Sequence, residues 1–508
     1  MYSKIATAIV HGISAQIILV EADITEGMPY FELIGFISAE VREARERVRA
    51  GLKNSGISLP PKKITVNLSP AFIRKSGSGF DLPIAVSLLA CLGRISIEKM
   101  ESILAVGEVS LNGRILPIHG ILPIVMAGKE QGYTQYMVPI ENAAEAELVR
   151  DIEIIGVHDI MEAMDYFNTY GKRSTQMQER KKEEEENTEF DFADLKGQEE
   201  VKRACEVAAA GMHNILLIGP PGAGKTMIAK RIPSILPPLS EEEGMEVSKI
   251  YSVSGMLAKR NGMIKTRPLR SPHHTITSQA LVGGGQIPKP GEVSLAHRGV
   301  LFLDEFAEFP SAILDTLRQP MEEKQMTLVR VSGTYVYPAD FMLVAAMNPC
   351  SCGYYPNYKK CHCTEQSIKQ YLSRISGPLL DRLDICTQAS QVNFKTIMNS
   401  EKTESSKEIR KRVINAHQIQ KSRYEHLGIY TNAQMGASEV EKFCVLTPSL
   451  LLKMEQVYEK LELSMRSYHK ILKVARTIAD LAGTETILEE HLNEAIMYRS
   501  MDRNYWER

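Results

Sequence analysis

Apolar positions along this chain change period several times, and each change predicts a different element. Residues 1–24, MYSKIATAIVHGISAQIILVEADI, alternate between apolar and polar positions with polar breaks, as half-buried strands do. Glu40–Leu52 has helical spacing with a charged outer face, Ile64–Leu68 is a strand, and Leu82–Leu92 is an apolar helix. Three short apolar runs predict buried strands: Ile215–Ile218, the run from Gly299 that ends in Asp304 and Glu305, and Phe341–Ala346. Thr327–Tyr337 alternates and turns at Ser332-Gly333, the pattern of a β-hairpin. Ser464–Arg476 has apolar residues at helical spacing, in a region that reads as helical from about Ile397.

One stretch carries almost no apolar residue. Residues 174–189, STQMQERKKEEEENTE, cannot bury a core and read as a solvated linker. The expected division is an α+β domain over 1–170, an acidic linker over 171–190, an α/β core over 191–396 and a helical domain over 397–508. Hydrophobic residues make up 44% of the 508 and charged residues 24%, which excludes gross disorder and a disulfide-dense scaffold. Lys+Arg is 60 and Asp+Glu 62, for a net charge of −2, so nucleic-acid binding requires a local patch or a central channel. No apolar run is long enough to span a membrane, and the N-terminus lacks a signal-peptide cleavage pattern. The expected location is the cytoplasm, where the eight cysteines are thiols or metal ligands.

In the first domain, Ile73–Asp81 (IRKSGSGFD) is a Gly/Ser turn that by itself fits a phosphate loop or, more simply, a tight turn with glycine at positive φ. Residues 73–90 (IRKSGSGFDLPIAVSLLA) and 107–128 (GEVSLNGRILPIHGILPIVMAG) resemble the proteolytic domain of Lon-type proteases. Gly79 matches that family's nucleophilic serine and Leu122 its lysine base. Neither supplies a nucleophile or an amine of lowered pKa, so the resemblance implies the fold without the activity. The expected role is assembly or partner docking.

The strongest motif lies after Ile215–Ile218. Gly219, Pro220, Pro221, Gly222, Ala223, Gly224, Lys225 and Thr226 form G-x-x-x-x-G-K-T between a strand and a helix start. Glycines let backbone N–H groups close around phosphates, Lys225 brings charge to the β/γ-phosphates, and Thr226 offers a hydroxyl to Mg²⁺. Asp304 is placed to bind the metal through water, and Glu305 to orient or deprotonate the attacking water. Asn348, after the third strand, can sit between that water and the γ-phosphate. Arg382, in the segment from Arg374 to Asp384, is either an arginine finger for a neighbour's ATP or a surface partner of Asp381 or Asp384. Arg466 can reach ATP from a lid, and Arg476 faces a partner or solvent.

These motifs, the GPLLDRLDI loop (377–385) and the segment SPHHTITSQALVGGGQIPKPGEVSLAHRGVLFLDE (271–305) resemble an AAA+ ATPase of the magnesium-chelatase-like branch, with a helix-2 insert. The order of domains and the lid sequence KILKVARTIADLAG (470–483) resemble the ComM/YifB competence family over nearly the whole chain. That resemblance implies a bacterial hexameric ATPase that binds ATP and Mg²⁺ and acts on DNA, linked to branch migration during homologous recombination in natural transformation. By motif match it makes Asn348 sensor 1, Arg382 the finger and Arg466 sensor 2. In helicases of this branch a hairpin like Thr327–Tyr337 projects into the channel. Lys324 and Arg330 would then meet phosphates, and Tyr335 or Tyr337 would stack on a base. Alternatively the hairpin only stiffens a subunit interface. The insert Ser271–Gly285, with His273 and His274, lines the same pore or is a mobile loop.

Cys350, Cys352, Cys361 and Cys363 suit a structural tetrathiolate zinc site, with His362 as a possible substitute ligand. The alternative is a loop of free thiols. Cys91, Cys205, Cys386 and Cys444 are isolated and read as small buried hydrophobes. Two other functions compete with a DNA motor. One is a chelatase motor subunit, against which the amino-terminal domain and the absence of a D-x-S-x-S motif count. The other is a protease or protein-remodelling ATPase, and Gly79 and Leu122 count against proteolysis.

Overall fold

The computed structural model of the protein describes residues 1–169, 190–257, 262–286, 288–331, 333–392 and 403–506. All but the last position of the expected linker lies outside the described residues, as does Ser332 of the expected hairpin turn. The amino-terminal part is a seven-stranded mixed sheet. Its order is Tyr30–Ile34, Lys63–Ser69, Ser14–Thr25, Tyr2–His11, Ile103–Ala105, Gln135–Pro139 and Glu153–Val157. The alternation of the first strand serves two cores. Ile5 and Ile9 pack with helices Ala39–Asn54 and Asp81–Cys91, while Ala6 and Ala8 pack with helix Ile121–Glu130 on the opposite face. The charged face of helix Ala39–Asn54 is not wholly solvated. Arg47 turns inward and donates to both oxygens of the fully buried Asp81, at 2.6 and 2.9 Å.

The second sheet has five parallel strands in the order Leu269–Arg270, Val300–Leu303, Met342–Met347, Ile215–Ile218 and Ile385–Gln388. Both faces of its three central strands are buried. Ile215, Leu217, Phe302 and Val344 join a core with the C-terminal helices, and Leu216, Ile218, Leu303 and Met347 join a second core on the other face. Burial on both faces is why these strands read as unbroken apolar runs, each side chain contributing about 1.5–3 kcal/mol. Parallel strands also bring their C-terminal ends to one edge. The loops that begin at Gly219, Asp304 and Asn348 therefore converge there.

Helices Ser406–Arg423, Pro448–Lys460, Met465–Leu481 and Glu489–Trp506 form the C-terminal region. Arg476, expected on the surface, is buried instead. Its guanidinium donates to the carbonyls of Thr484 (2.5 Å) and Glu485 (2.6 Å), just past the end of its own helix, and to Asp480. It thus satisfies main-chain acceptors at a buried turn. Among the described residues no helix is long and apolar enough to cross a membrane.

Candidate functional site: the phosphate loop and its surroundings

Backbone geometry at the edge of the parallel sheet explains the glycines. A Cβ on Gly219 would meet the carbonyl oxygen of Ala389 at 2.2 Å, and Gly222 and Gly224 hold φ at +75° and +78°. Lys225 opens helix Lys225–Ile235. Its ammonium donates to Gly219 O (2.7 Å), Pro220 O (3.0 Å) and Asn348 Oδ1 (3.0 Å). Burial lowers the Lys225 pKa, and Asp304 opposes that shift. Thr226 Oγ1 donates to Asp304 Oδ2 at 2.6 Å, so the hydroxyl and carboxylate expected to share a metal stand side by side. Backbone N–H groups at a helix start, one ammonium and a hydroxyl–carboxylate pair form a donor set that fits a nucleotide phosphate chain with Mg²⁺.

Glu305 adopts a left-handed backbone conformation, with φ at 52°, and its N–H donates to Asp304 Oδ1 at 2.9 Å. Its carboxylate is 57% exposed and lies 2.9 Å from Nδ1 of His274.

Three family descriptions match this chain. "Magnesium chelatase, subunit ChlI" covers residues 191–397, "Subunit ChlI of Mg-chelatase" covers 20–142, and the ChlI C-terminal description covers 403–499. The chain is 39% identical to competence protein ComM of Haemophilus influenzae, over 97% of this chain and 96% of that one. It is 41% identical to the YifB protein of Salmonella typhimurium, over 98% and 97%. The chain belongs to the ComM/YifB family. A smaller likeness, 26% over 32% of this chain and 53% of the other, reaches the magnesium-chelatase 38 kDa subunit of Cereibacter sphaeroides. ComM/YifB proteins are thus magnesium-chelatase-like AAA+ ATPases, a class that uses a nucleotide and Mg²⁺.

In this ComM/YifB chain, Arg382 pairs with neither Asp381 nor Asp384. Its Nη2 lies 2.5 Å from Glu322 Oε1, and Arg466 Nη2 lies 2.9 Å from the same oxygen. The two arginines bring the Glu322 carboxyl below its usual pKa, Arg382 foremost. All three line a cleft of about 950 Å³ in which no phosphate-loop residue takes part. The Arg382 carbonyl accepts from Asn214 Nδ2 at 3.0 Å, so this loop is tied to the residue that starts strand Ile215–Ile218. Asp384 is held by Lys470 Nζ at 2.8 Å, not by the arginine.

The hairpin predicted from alternation is present. Gln325–Arg330 pairs antiparallel with Gly333–Pro338, and Val329 and Val331 at its end are exposed. Arg330 sits at that end, and its Nη1 donates to the Val329 carbonyl at 2.9 Å. Lys324, at the base, pairs with Asp340 at 3.2 Å. Tyr335 stacks on His11 of the amino-terminal sheet, with centroids 4.4 Å apart. Tyr337 does not fit base stacking. It is buried, with its hydroxyl donating to Pro288 O at 2.7 Å, because the alternation turns it toward the body of the protein.

Cys350, Cys352, Cys361 and Cys363 converge, with their sulfurs all within 4.8 Å of one another, while His362 is exposed. Their loop packs on the phosphate loop: a Cβ on Gly353 would meet Pro221 Cδ at 2.4 Å. Cys91, Cys205, Cys386 and Cys444 are buried singly.

The positions that match the Lon dyad are filled by apolar packing. A Cβ on Gly79 would meet Val106 at 3.1 Å and Ile118 at 3.3 Å. Leu122 is fully buried against Val247, Ile250 and Tyr251, the last two in helix Glu241–Val253 of the ATPase region. The Leu122 N–H donates to Glu145 Oε1 (3.2 Å) and Ser252 Oγ (3.3 Å), and Ser252 Oγ itself donates to Glu145. Sequence reasoning missed Glu322 and the attachment of His274 to Glu305. The adjacent histidines were a visible signal, whereas nothing in the sequence around Glu322 marks it.

Proposed function

We propose that this ComM/YifB chain is an ATP-driven DNA motor: a hexameric helicase that migrates branches during homologous recombination in natural transformation. It works in the cytoplasm on single-stranded or branched DNA, alongside recombination proteins. The observation that carries the reading is the exposed hairpin end bearing Arg330, on a hairpin that leads directly into strand Met342–Met347 and so to Asn348. Movement of DNA phosphates against that hairpin has a short path to the γ-phosphate site.

The residues take these parts. Gly219 to Thr226 bind the phosphates, and Mg²⁺ on Thr226 and Asp304 neutralises charge on the β- and γ-oxygens. Glu305 prepares the attacking water, and Asn348 orients it. Arg382 and Arg466, which share Glu322, both serve a neighbouring subunit's ATP, the first as finger. Lys324 and Arg330 meet DNA phosphates. Tyr335 stacks on a base only after leaving His11. The division into 1–170, 171–190, 191–396 and 397–508 completes the reading, the first unit serving as a docking body without protease activity.

A structural zinc ion on Cys350, Cys352, Cys361 and Cys363 belongs to the same proposal. Zinc–sulfur bonds of about 2.3 Å give a tetrahedron edge of about 3.8 Å. Three of the sulfur pairs lie at 3.4, 3.5 and 3.8 Å. Purified protein is expected to carry one zinc per chain, and Cys361→Ser to lose it; metal-free wild-type protein would refute the assignment.

The test of the motor is the ATPase rate without DNA, with single-stranded DNA and with a branched junction, with Lys225→Ala as blank. Several-fold stimulation, greatest with the junction, is expected. No response to either DNA would favour a chelatase-type or protein-remodelling motor.

A further inference from the structure

The catalytic carboxylate of the proposed function has a partner that the hydrolysis scheme does not use. His274 Nδ1 lies 2.9 Å from Glu305 Oε2. The imidazole is held in place rather than free on the surface. It lies 4.0 Å from the His273 ring, centroid to centroid, and 6.3 Å, edge-on, from Phe309, which is anchored in the core. The His273 ring is fixed in turn by Thr275 Oγ1, 3.0 Å from Nδ1.

The chain beyond His274 leads to the hairpin. Thr277 caps helix Ser278–Val282, accepting from Ala280 N at 3.2 Å. That helix ends at Gly283, and Gly283 and Gly284 pair antiparallel with Pro290 and Lys289. This small ribbon lies on the Gln325–Pro338 hairpin. Gly283 leaves room for Leu328, Gly284 for Arg330, and Pro288 O accepts from the Tyr337 hydroxyl at 2.7 Å. One short segment therefore joins the hairpin to the oxygen that must face water.

We propose that His274 is a positioning residue that restrains Glu305 until the hairpin moves. While His274 holds Oε2, that oxygen is turned toward the insert and is not available to the attacking water. A displacement of the hairpin carries residues 275–282 with it and frees the carboxylate. DNA then raises the rate by releasing the base, not by tightening ATP binding. The proposal rests on Glu305 as the base and on the hairpin as the DNA-contacting element.

The test compares wild type, His274→Ala, His274→Leu and His274→Gln for kcat and KM with and without single-stranded DNA. Ala and Leu remove the donor, and Leu keeps most of the volume. Both are expected to raise the DNA-free kcat by roughly three- to tenfold, what one hydrogen bond to a carboxylate is worth, with KM for ATP unchanged. DNA should then add little. Gln, whose amide can donate to the same oxygen, should restore the low basal rate. If Ala and Leu bind ATP as wild type but show the wild-type basal rate, or a lower one, the proposal is wrong. The DNA-free comparison decides this point alone, whereas a wild-type enzyme that ignores DNA would overturn the DNA reading instead.

Discussion

Two positions in this chain match places where a related fold or motif does chemistry, and they have opposite fates. At the phosphate loop the groups are polar, convergent and open to the sheet edge: Lys225 on Asn348, Thr226 on Asp304, and Glu305 more than half exposed. At Gly79 and Leu122 the groups are apolar and closed, and Leu122 is covered by helix Glu241–Val253 of the ATPase region. A reaction centre needs polar groups held unsatisfied toward a substrate, while a junction needs them absent or paired. The former protease position has become the surface on which the two halves meet. Its one buried carboxylate, Glu145, is paired with Ser252 and the Leu122 amide.

The contrast predicts that changes at the first place cost turnover and changes at the second cost stability. The largest effect is expected at Arg382. Arg382→Ala should keep ATP binding and lose hydrolysis by roughly a thousandfold or more. Mixing it with Lys225→Ala should recover activity, because each variant supplies what the other lacks across a subunit boundary. No recovery in the mixture would confine Arg382 to its own subunit. Next is Glu305→Gln, with kcat down roughly a hundred- to ten-thousandfold at unchanged nucleotide affinity, read by fluorescent-nucleotide titration beside phosphate release.

At the junction, Leu122→Ala is expected to cost about 2–5 kcal/mol in urea unfolding while the folded protein keeps its ATPase rate. Loss of hydrolysis at undiminished stability would break the contrast, since the junction would then be part of the catalytic cycle.

The smallest effect concerns pH. Burial raises the Glu145 pKa, against the lowering by Ser252 and the Leu122 amide. The folded state therefore keeps this proton to a higher pH than the unfolded chain, and stability is lost as pH rises from the ordinary carboxylate range through the raised value. Glu145→Gln retains an acceptor for both donors and should flatten that loss. Unfolding midpoints between about pH 5 and pH 8 would show it, and an unchanged slope would assign the loss elsewhere. Glu246 behaves in the opposite way. His297 first, then Arg298, hold its pKa at about 2, so the stability it provides is lost as pH falls from 4.5 toward that value.

Much of the site was legible because local rules write it. A strand buried on both faces must be an apolar run, a loop that wraps phosphates must have glycine where φ is positive, and a hairpin must alternate. Ile215–Ile218, Gly222, Gly224 and Gln325–Pro338 follow from those rules alone. The burial of Arg476 was not legible, because a guanidinium that satisfies turn carbonyls has the same sequence signature as one in solvent. The same holds for Tyr335 and Tyr337, two aromatic positions of one strand that end up with different neighbours.

The sequence by itself determined the phosphate-loop chemistry, the parallel core, the hairpin, the cysteine cluster and the lost dyad, because each depends on residue type and short spacing. Only the tertiary structure decided which side chains meet across long separations: Arg382 with Arg466 on Glu322, His274 with Glu305, His11 with Tyr335, and Leu122 with the helix of Ile250. Such pairs are fixed by how whole elements pack, and packing leaves no periodic trace in the residues that it brings together.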